Sequence, residues 1–436
     1  MDWGTVLAWT DFASRELMLF AAIWFVIGAV DDVAVDLCWI WNRSGSRIAS
    51  RRSAIHRGEH GVRTRRFAIF IPAWREADVI GHMVAHCLSR WRSDEFILFV
   101  GTYINDPETA RAIHAAIGED KRVQIIVHNR PGPTSKADCL NRMWLAMRDM
   151  ESLTDRRFDA VVLHDAEDIV HPAALDIFAT HIGPYDFVQL PVIPLPDPQS
   201  PWIAGHYCDE FAESHGKAMI VRNHIGAGLP AAGVGCAFST DILAALAASQ
   251  PNDMPFAAES VTEDYELGLR ITQMGGRGCF VRERAIDGSW IATRAYFPAN
   301  LGAAVRQKAR WMVGIGLTGW DRLGWQGNAA EYWMRLRDRR AVLAALVLSA
   351  AYLAMLLGTV TMIGDAVGLY RAPPLAPVLT LLLLVNLVFL IWRLGMRFVF
   401  TANCYGWRHG LIAVPRLLVG NIIAIMAARR ALAIYA

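Results

Sequence analysis

Residues 341–364 carry no charged side chain, and neither do residues 372–392. A helix needs about 20 apolar residues to cross a bilayer core, so each run is long enough for a crossing. A third candidate, 17–41, reads LMLFAAIWFVIGAVDDVAVDLCWIW and is interrupted by Asp31, Asp32 and Asp36. Acids at that depth are expensive unless they face protein or lie near the interface. The expectation is therefore that the first two-thirds of this segment is embedded and the rest reaches the surface. With no cleavage site evident after it, the segment reads as an anchor.

Charge orients these segments. The net charge of +2 conceals a strong asymmetry: residues 42–66 hold eight Arg (43, 47, 51, 52, 57, 63, 65 and 66) against Glu59, and 335–340 reads RLRDRR. Basic flanks stay on the cytoplasmic side. The expected order is a periplasmic start (1–16), a crossing at 17–41, a basic cytoplasmic linker (42–65), an inner domain (66–300), a helical stretch (301–340), and crossings at 341–364 and 372–392. Beside a membrane helix the basic linker is expected to touch anionic lipid headgroups rather than nucleic acid. In 393–436, Arg416 and Arg429 bracket twelve uncharged residues, and Pro415 would kink a helix. That segment reads as interfacial or re-entrant, with a fourth crossing as the alternative. The seven Cys form no CxxC pair and are expected to be reduced thiols without metal or disulfide roles.

From 66 to 190 short apolar runs alternate with helix-like stretches. FAIFI (67–71), FILFV (96–100), VQIIV (123–127), AVVL (160–163) and DFVQL (186–190) read as buried strands. Strands alternating with helices predict βαβ units and a mostly parallel sheet. Ligands of such sheets bind beyond the carboxyl ends of the strands. That rule selects PAWRE (72–76), GTYINDPE (101–108), the segment after 127, and DAED (165–168). There is no P-loop and no GxGxxG, which disfavours a nucleoside triphosphatase or a Rossmann oxidoreductase.

Four pieces carry chemistry. In VVLHDAEDIVHP (161–172) a strand ends on Asp165, Glu167 and Asp168. Such acids can hold Mg²⁺ or Mn²⁺, or can cap and charge the start of a helix ending near Ile177. In VTEDYELGLR (261–270), Glu263 and Asp264 open a helical pattern, and a carboxylate there can cap or serve as a general base. In AVRQKARWMVGIG (304–316), Gln307, Arg310, Trp311 and Gly314 share a helix face, while Arg306 and Lys308 point elsewhere. Arg suits a phosphate and the indole suits a sugar ring; a membrane-surface helix is the plainer reading. In PGPTSKADCLN (131–141), Lys136 follows a turn and opens a helix, where a cation can meet a diphosphate.

In this order, around a parallel sheet and followed by membrane helices, these pieces resemble the processive family-2 glycosyltransferases, with their D, DxD, TED and QxxRW motifs. TED is Thr262-Glu263-Asp264; QxxRW is Gln307-Lys308-Ala309-Arg310-Trp311. GTYINDPET, GPTSKADCLN, LHDAEDIVHP, GHYCDEFAESHGK, VTEDYELGLR and RQKARWMVGI look like the bacteriophage-adsorption protein B branch of that family, and the resemblance covers nearly the whole chain. It implies a GT-A-type catalytic domain on the cytoplasmic side of a bacterial inner membrane. It also implies a UDP-sugar donor, a glycan acceptor, a divalent metal and single displacement with inversion.

The implied roles fall on named positions. Asp165 with Glu167 or Asp168 would hold the metal. Glu76, Tyr103, Asn105, Asp106, Lys136 and Asp165 would line the nucleotide-sugar site, with Tyr103, Asn105 and Asp106 competing for the early uracil contact. Asp264 would be the base, beside Glu263. Gln307, Arg310 and Trp311 would hold the acceptor and the diphosphate, and AGVGCAFS (232–239) the acceptor-site floor. An export partner in the periplasm or outer membrane would complete the path. Members of the branch often carry a further domain that binds cyclic-di-GMP; this chain stops at Ala436, so such regulation would act through a domain it does not contain. The chain is either a natural short form or a shortened one. Transfer of one sugar to polyprenyl phosphate and a non-catalytic membrane role in a phage-receptor or secretion assembly are the competing readings.

Overall fold

The computed structural model describes residues 3–56, 65–91 and 95–436, with backbone alone for 43–56. Among the described residues, seven strands form a single sheet: β1 (Phe67–Pro72), β2 (Phe96–Tyr103), β3 (Val123–His128), β4 (Ala160–Leu163), β5 (Phe187–Gln189), β6 (Cys236–Ser239) and β7 (Gly278–Phe280). Their order is β3-β2-β1-β4-β6-β5-β7. The first four are mutually parallel. β6 runs antiparallel to both β4 and β5, and β5 pairs in parallel with β7. This is a mixed, mostly parallel GT-A-like sheet.

The five strands read from the apolar runs are present. β6 is an addition, because residues 236–239 belong to AGVGCAFS, which reads as a site floor rather than as a strand. Its reversal matters. Leu163 at the end of β4 lies opposite Cys236 at the start of β6, and the Gly235 amide donates to Leu163 O at 2.9 Å. The loop entering β6 therefore lands on the same sheet edge as the loops leaving β1, β2 and β4.

Helices cover both faces, which is why the central strands read as unbroken apolar runs. On one face Ile69, Ile71, Leu98, Val100 and Val162 pack with Met83, Val84 and Phe178. On the other, Phe70, Phe99, Val161 and Leu163 pack with Met143, Trp144, Met147 and Leu243. Alternate residues of one strand thus feed two cores.

Among the described residues, four helices are long and apolar enough to cross a membrane: Trp3–Asn42, Ala341–Ala366, Pro377–Tyr405 and Trp407–Tyr435. The first belongs to a continuous helix, Trp3–His56, which includes residues 3–16. Within the basic linker, residues 57–64 lie outside the described residues. Residues 411–435, read from sequence as interfacial or re-entrant with a fourth crossing as the alternative, belong to one 29-residue helix, Trp407–Tyr435, with Pro415 inside it. Gly406, at φ 91°, makes the turn between the last two helices; only glycine takes that conformation cheaply. Arg416, which shortens the apolar run in sequence, is 2% exposed and pairs with Asp209 at 2.7 Å.

Asp31, Asp32 and Asp36 of the first helix face protein. Asp31 meets Arg337 and Arg340, and Asp32 meets Arg337, Arg340 and Arg393. Asp36 pairs with Lys217 at 2.5 Å and accepts from Trp392 Nε1 at 2.7 Å. The RLRDRR stretch is thus an ion partner of the first helix as well as a basic flank. Gly358 and Gly364 allow close helix approach: a methyl on Gly364 would lie 2.7 Å from Leu7 Cδ1, and Ser14 Oγ donates to Ala354 O at 3.0 Å.

Candidate active site

Asp165 is the second residue beyond β4, and Lys136 is the first residue of the helix Lys136–Thr154, whose Ser135 cap accepts from the Asp138 amide. Lys136 Nζ donates to Asp165 Oδ1 at 2.5 Å and lies 3.5 Å from Gly233 O, in the loop entering β6. Burial works against the Lys136 charge, but Asp165, then Glu263 and Asp264, outweigh it and hold the ammonium above its usual range. One cation therefore stands among three carboxylates drawn from two distant motifs.

Asp168, one of the two candidates for the second metal ligand, is held within its own loop. It is 3% exposed. Its Oδ2 accepts from the Asp165 amide at 3.1 Å and pairs with His164 Nδ1 at 2.9 Å. The next helix starts only at Ala174, so Asp168 caps a turn inside the loop, with no helix beginning there. Its carboxylate fixes the backbone of Asp165 from behind. Glu167 is the exposed acid of the trio. Crowding by protein, then the Asp165 charge, pushes its carboxyl up to about 7.

Glu263 and Asp264 occupy the first turn of the helix Glu263–Gln273. Asp264 Oδ1 accepts from the Tyr265 amide at 2.7 Å. Burial raises the Asp264 carboxyl against the pull of Lys136 and Arg310. Burial and the Asp264 charge raise Glu263 to about 7. Gly233, at φ 75°, lies so close that an added methyl would overlap Asp264 Oδ2 and sit 3.1 Å from its Cγ.

The Gln307–Trp311 segment closes the site. Its helix, Leu301–Trp311, passes directly into a π-helical stretch, Met312–Thr318. The wider turn shifts Gly314 off the simple helical face expected from spacing. Gly314 packs on Thr262, where an added methyl would be 2.9 Å from Thr262 Cβ. That contact ties the QxxRW segment to TED. Arg310 is exposed and its charge reaches Glu263 and Asp264. Gln307 Oε1 is buried without a hydrogen-bond partner. Trp311 packs edge-on to Tyr207 at 6.0 Å. Lys308 pairs with Glu210 on the helix Ile203–Glu213.

At the ends of β1 and β2, Asp106 is buried and caps the helix Pro107–Ile117. Its Oδ2 accepts from the Arg75 amide at 2.6 Å and its Oδ1 from Thr109 at 3.4 Å. Both oxygens accept from the loop, in which Asp106 is one of the three candidates, beside Tyr103 and Asn105, for the uracil contact. Asn105 exchanges two hydrogen bonds with the Gly132 backbone, at 2.8 and 2.7 Å. Tyr103 stacks on His128 at 5.3 Å and bonds Thr134 Oγ1 at 2.8 Å. Glu76 stands nearby; burial, then Asp165 and Asp106, raise its carboxyl.

Sequence reasoning placed Gly233 only within the AGVGCAFS floor and Trp74 only within the PAWRE loop, and gave His164 no role; the contacts of Gly233 and His164 depend on the sheet edge they share. Trp74 packs against Gly132, where an added methyl would overlap the indole ring.

Among the described residues, no group of three or more His, Cys, Asp or Glu side chains forms a metal-binding cluster. Mg²⁺ commonly takes one or two carboxylates from protein, with phosphates and water as its other ligands. Asp165 and Glu167 supply two hard oxygen donors of that kind.

The model of glycosyltransferase-like family 2 matches residues 64–314. Bacteriophage adsorption protein B of Escherichia coli (strain K12) and bacteriophage N4 adsorption protein B of E. coli O157:H7 are each 32% identical over 457 residues, covering 99% of this chain. The chain spans 61% of the length of these curated relatives. Among solved structures, glucosyl-3-phosphoglycerate synthase from Mycobacterium tuberculosis with Mn²⁺, UDP and phosphoglyceric acid aligns at 17% identity and TM-score 0.36, over 61% of this chain and 80% of its own. S. aureus TarS 1–349 with UDP-GlcNAc aligns at 10% identity and TM-score 0.37, over 72% and 95%.

Proposed function

The chain belongs to glycosyltransferase-like family 2, and from that premise we propose that it is an inverting enzyme that adds sugars from a UDP-linked donor to a growing exopolysaccharide. The observation that carries this reading is the convergence of Lys136, Asp165, Gly233 and Asp264 at one sheet edge, with the QxxRW segment held against TED by Gly314 and Thr262.

Asp165 and Glu167 are the proposed metal ligands, with Asp168 holding the Asp165 backbone. A bound Mg²⁺ or Mn²⁺ would supply Lewis-acid neutralisation of charge on the diphosphate. Glu76 and Asn105 flank the nucleobase, and Tyr103 with Asp106 shapes the loop that carries them. Arg310 faces the diphosphate. Trp311 and the open acceptor Gln307 Oε1 face the acceptor glycan. Asp264 takes the proton from the acceptor hydroxyl as it attacks the anomeric carbon from the opposite face, giving a β-linkage from an α-linked donor. A carboxyl raised by burial suits a general base working near neutrality. We place the catalytic domain on the cytoplasmic side of the bacterial inner membrane, as the basic flanks indicate. The likeness to adsorption protein B supports a proposed phage-adsorption role, and an export partner is proposed beside it.

Asp264→Asn is the direct test. UDP release with candidate UDP-sugars should fall by about 10³-fold or more, toward the upper range of acid–base contributions, while calorimetry shows UDP binding within about twofold. Turnover near the wild-type rate would remove Asp264 from the base role. Sizing of the wild-type product separates a long glycan from a lipid-linked monosaccharide.

A further inference from the structure

Asp165 has two claims on it. Its proposed task is to bind a divalent cation, yet its Oδ1 is already engaged by Lys136 Nζ at 2.5 Å. The side chains of Lys136 and Asp165 remain 28% and 37% exposed, so the pair is reachable from solvent and is not locked in the core. Lys136 also lies 3.5 Å from Gly233 O, the residue whose Cα abuts Asp264. Its ammonium is thus shared between the metal-side and base-side acids. Without such a cation, Asp165, Glu167, Glu263 and Asp264 would face one another with Arg310 as their remaining neighbour of opposite sign in the motifs described above.

A bare divalent ion approaching Asp165 must compete with that ammonium. The competition changes when a diphosphate arrives, because its oxygens offer Lys136 a second anionic partner. A lysine suits such a transfer: it is a compact point charge on a four-carbon stem with rotatable donors. We propose that Lys136 is a displaceable counter-cation, which occupies Asp165 in the resting protein and releases it when the nucleotide diphosphate binds, so that metal uptake depends on the nucleotide. This rests on the donor-site reading above, and adds to it an order of binding. The coupling is reciprocal: whatever factor UDP adds to metal affinity, the metal adds to UDP affinity.

The test counts free Mn²⁺ by electron paramagnetic resonance during titration of the full chain in detergent, first alone and then with saturating UDP. Wild-type protein should bind Mn²⁺ weakly alone and at least about tenfold more tightly with UDP, the size of a typical coupling. Lys136→Met should bind Mn²⁺ alone about tenfold more tightly than wild type, and UDP should then improve that affinity by a smaller factor. Lys136→Arg keeps the charge and should keep the wild-type pattern. If Lys136→Met does not fold, as judged by its thermal transition, Lys136→Gln carries the same comparison. Neutral variants that bind Mn²⁺ alone no more tightly than wild type would overturn the counter-cation role while leaving the donor site intact. A wild-type protein that takes up no Mn²⁺ even with UDP would instead overturn the metal-dependent reading on which the proposal stands.

Discussion

Gly233→Ala puts a methyl group where the structure has no room for one, and it does so beside the proposed base. The methyl would overlap Asp264 Oδ2 and lie 3.1 Å from its Cγ and 3.2 Å from its Cβ. Carbon atoms prefer a separation of about 3.5–4.0 Å, so the carboxyl group must retreat, its oxygen by about 1 Å. The backbone cannot absorb the change, because Gly233 sits at φ 75° and alanine in a left-handed conformation costs roughly 1–2 kcal/mol. A misplacement of about 1 Å in a reacting group costs on the order of 10²-fold in rate. The expected result is a kcat near 1% of wild type, a thermal midpoint lower by a few degrees, and UDP affinity changed by less than about threefold. Steady-state UDP release and calorimetry on the same preparation provide the measurements. Full turnover in the variant would refute the idea that Asp264 is held in place for catalysis. Loss of UDP binding in step with turnover would show that Gly233 shapes the donor site instead.

Two further outcomes follow from the same geometry. Gly314→Ala should lower kcat by about tenfold or more by pushing Thr262 away from the π-helical stretch, and adding Thr262→Ser, which removes the facing methyl, should recover part of that loss; unchanged kinetics in the single variant would break the proposed link between QxxRW and TED. His215 is buried, accepts from the Val192 amide at 2.9 Å, and has its pKa lowered by burial, then by Arg282, to about 3. The unfolded chain therefore binds this proton below about 6.5 while the folded chain refuses it until about 3, so its contribution is intact above pH 6.5 and shrinks as pH falls, by roughly 1.4 kcal/mol per unit. Between pH 7.5 and 5.0 the thermal midpoint should fall more steeply in wild type than in His215→Gln, and parallel slopes would refute the assignment.

The sequence carried the sheet core well because β1, β2 and β4 are buried on both faces and so are written as apolar runs. It carried the candidate site to the level of motifs, since DAED, TED and QxxRW are local. What it did not carry depends on partners far away in the chain. Asp168 looks like a ligand or a helix cap until His164 and the Asp165 amide are seen to occupy it. Asp106 looks free until the Arg75 amide is found on it. Arg416 appears to interrupt a membrane helix because its buried partner, Asp209, is 207 residues away. β6 was invisible as a strand because its four residues follow two glycines and have no periodic pattern long enough to read.

The ion pairs of the first long helix also set a schedule. Asp31 is 306 residues from Arg337, and Asp32 is 361 from Arg393. During synthesis, those carboxylates emerge long before any of these arginines exists. The first helix must wait with its acids in water or against headgroups while the whole catalytic domain is made. Only when the late helices arrive can the acids be drawn into protein. Assembly at the membrane is thus a closing step that joins the start of the chain to its last third, and a ribosome stalled before Arg337 would leave a first helix whose Asp36 can reach Lys217 while Asp31 and Asp32 still lack their arginines.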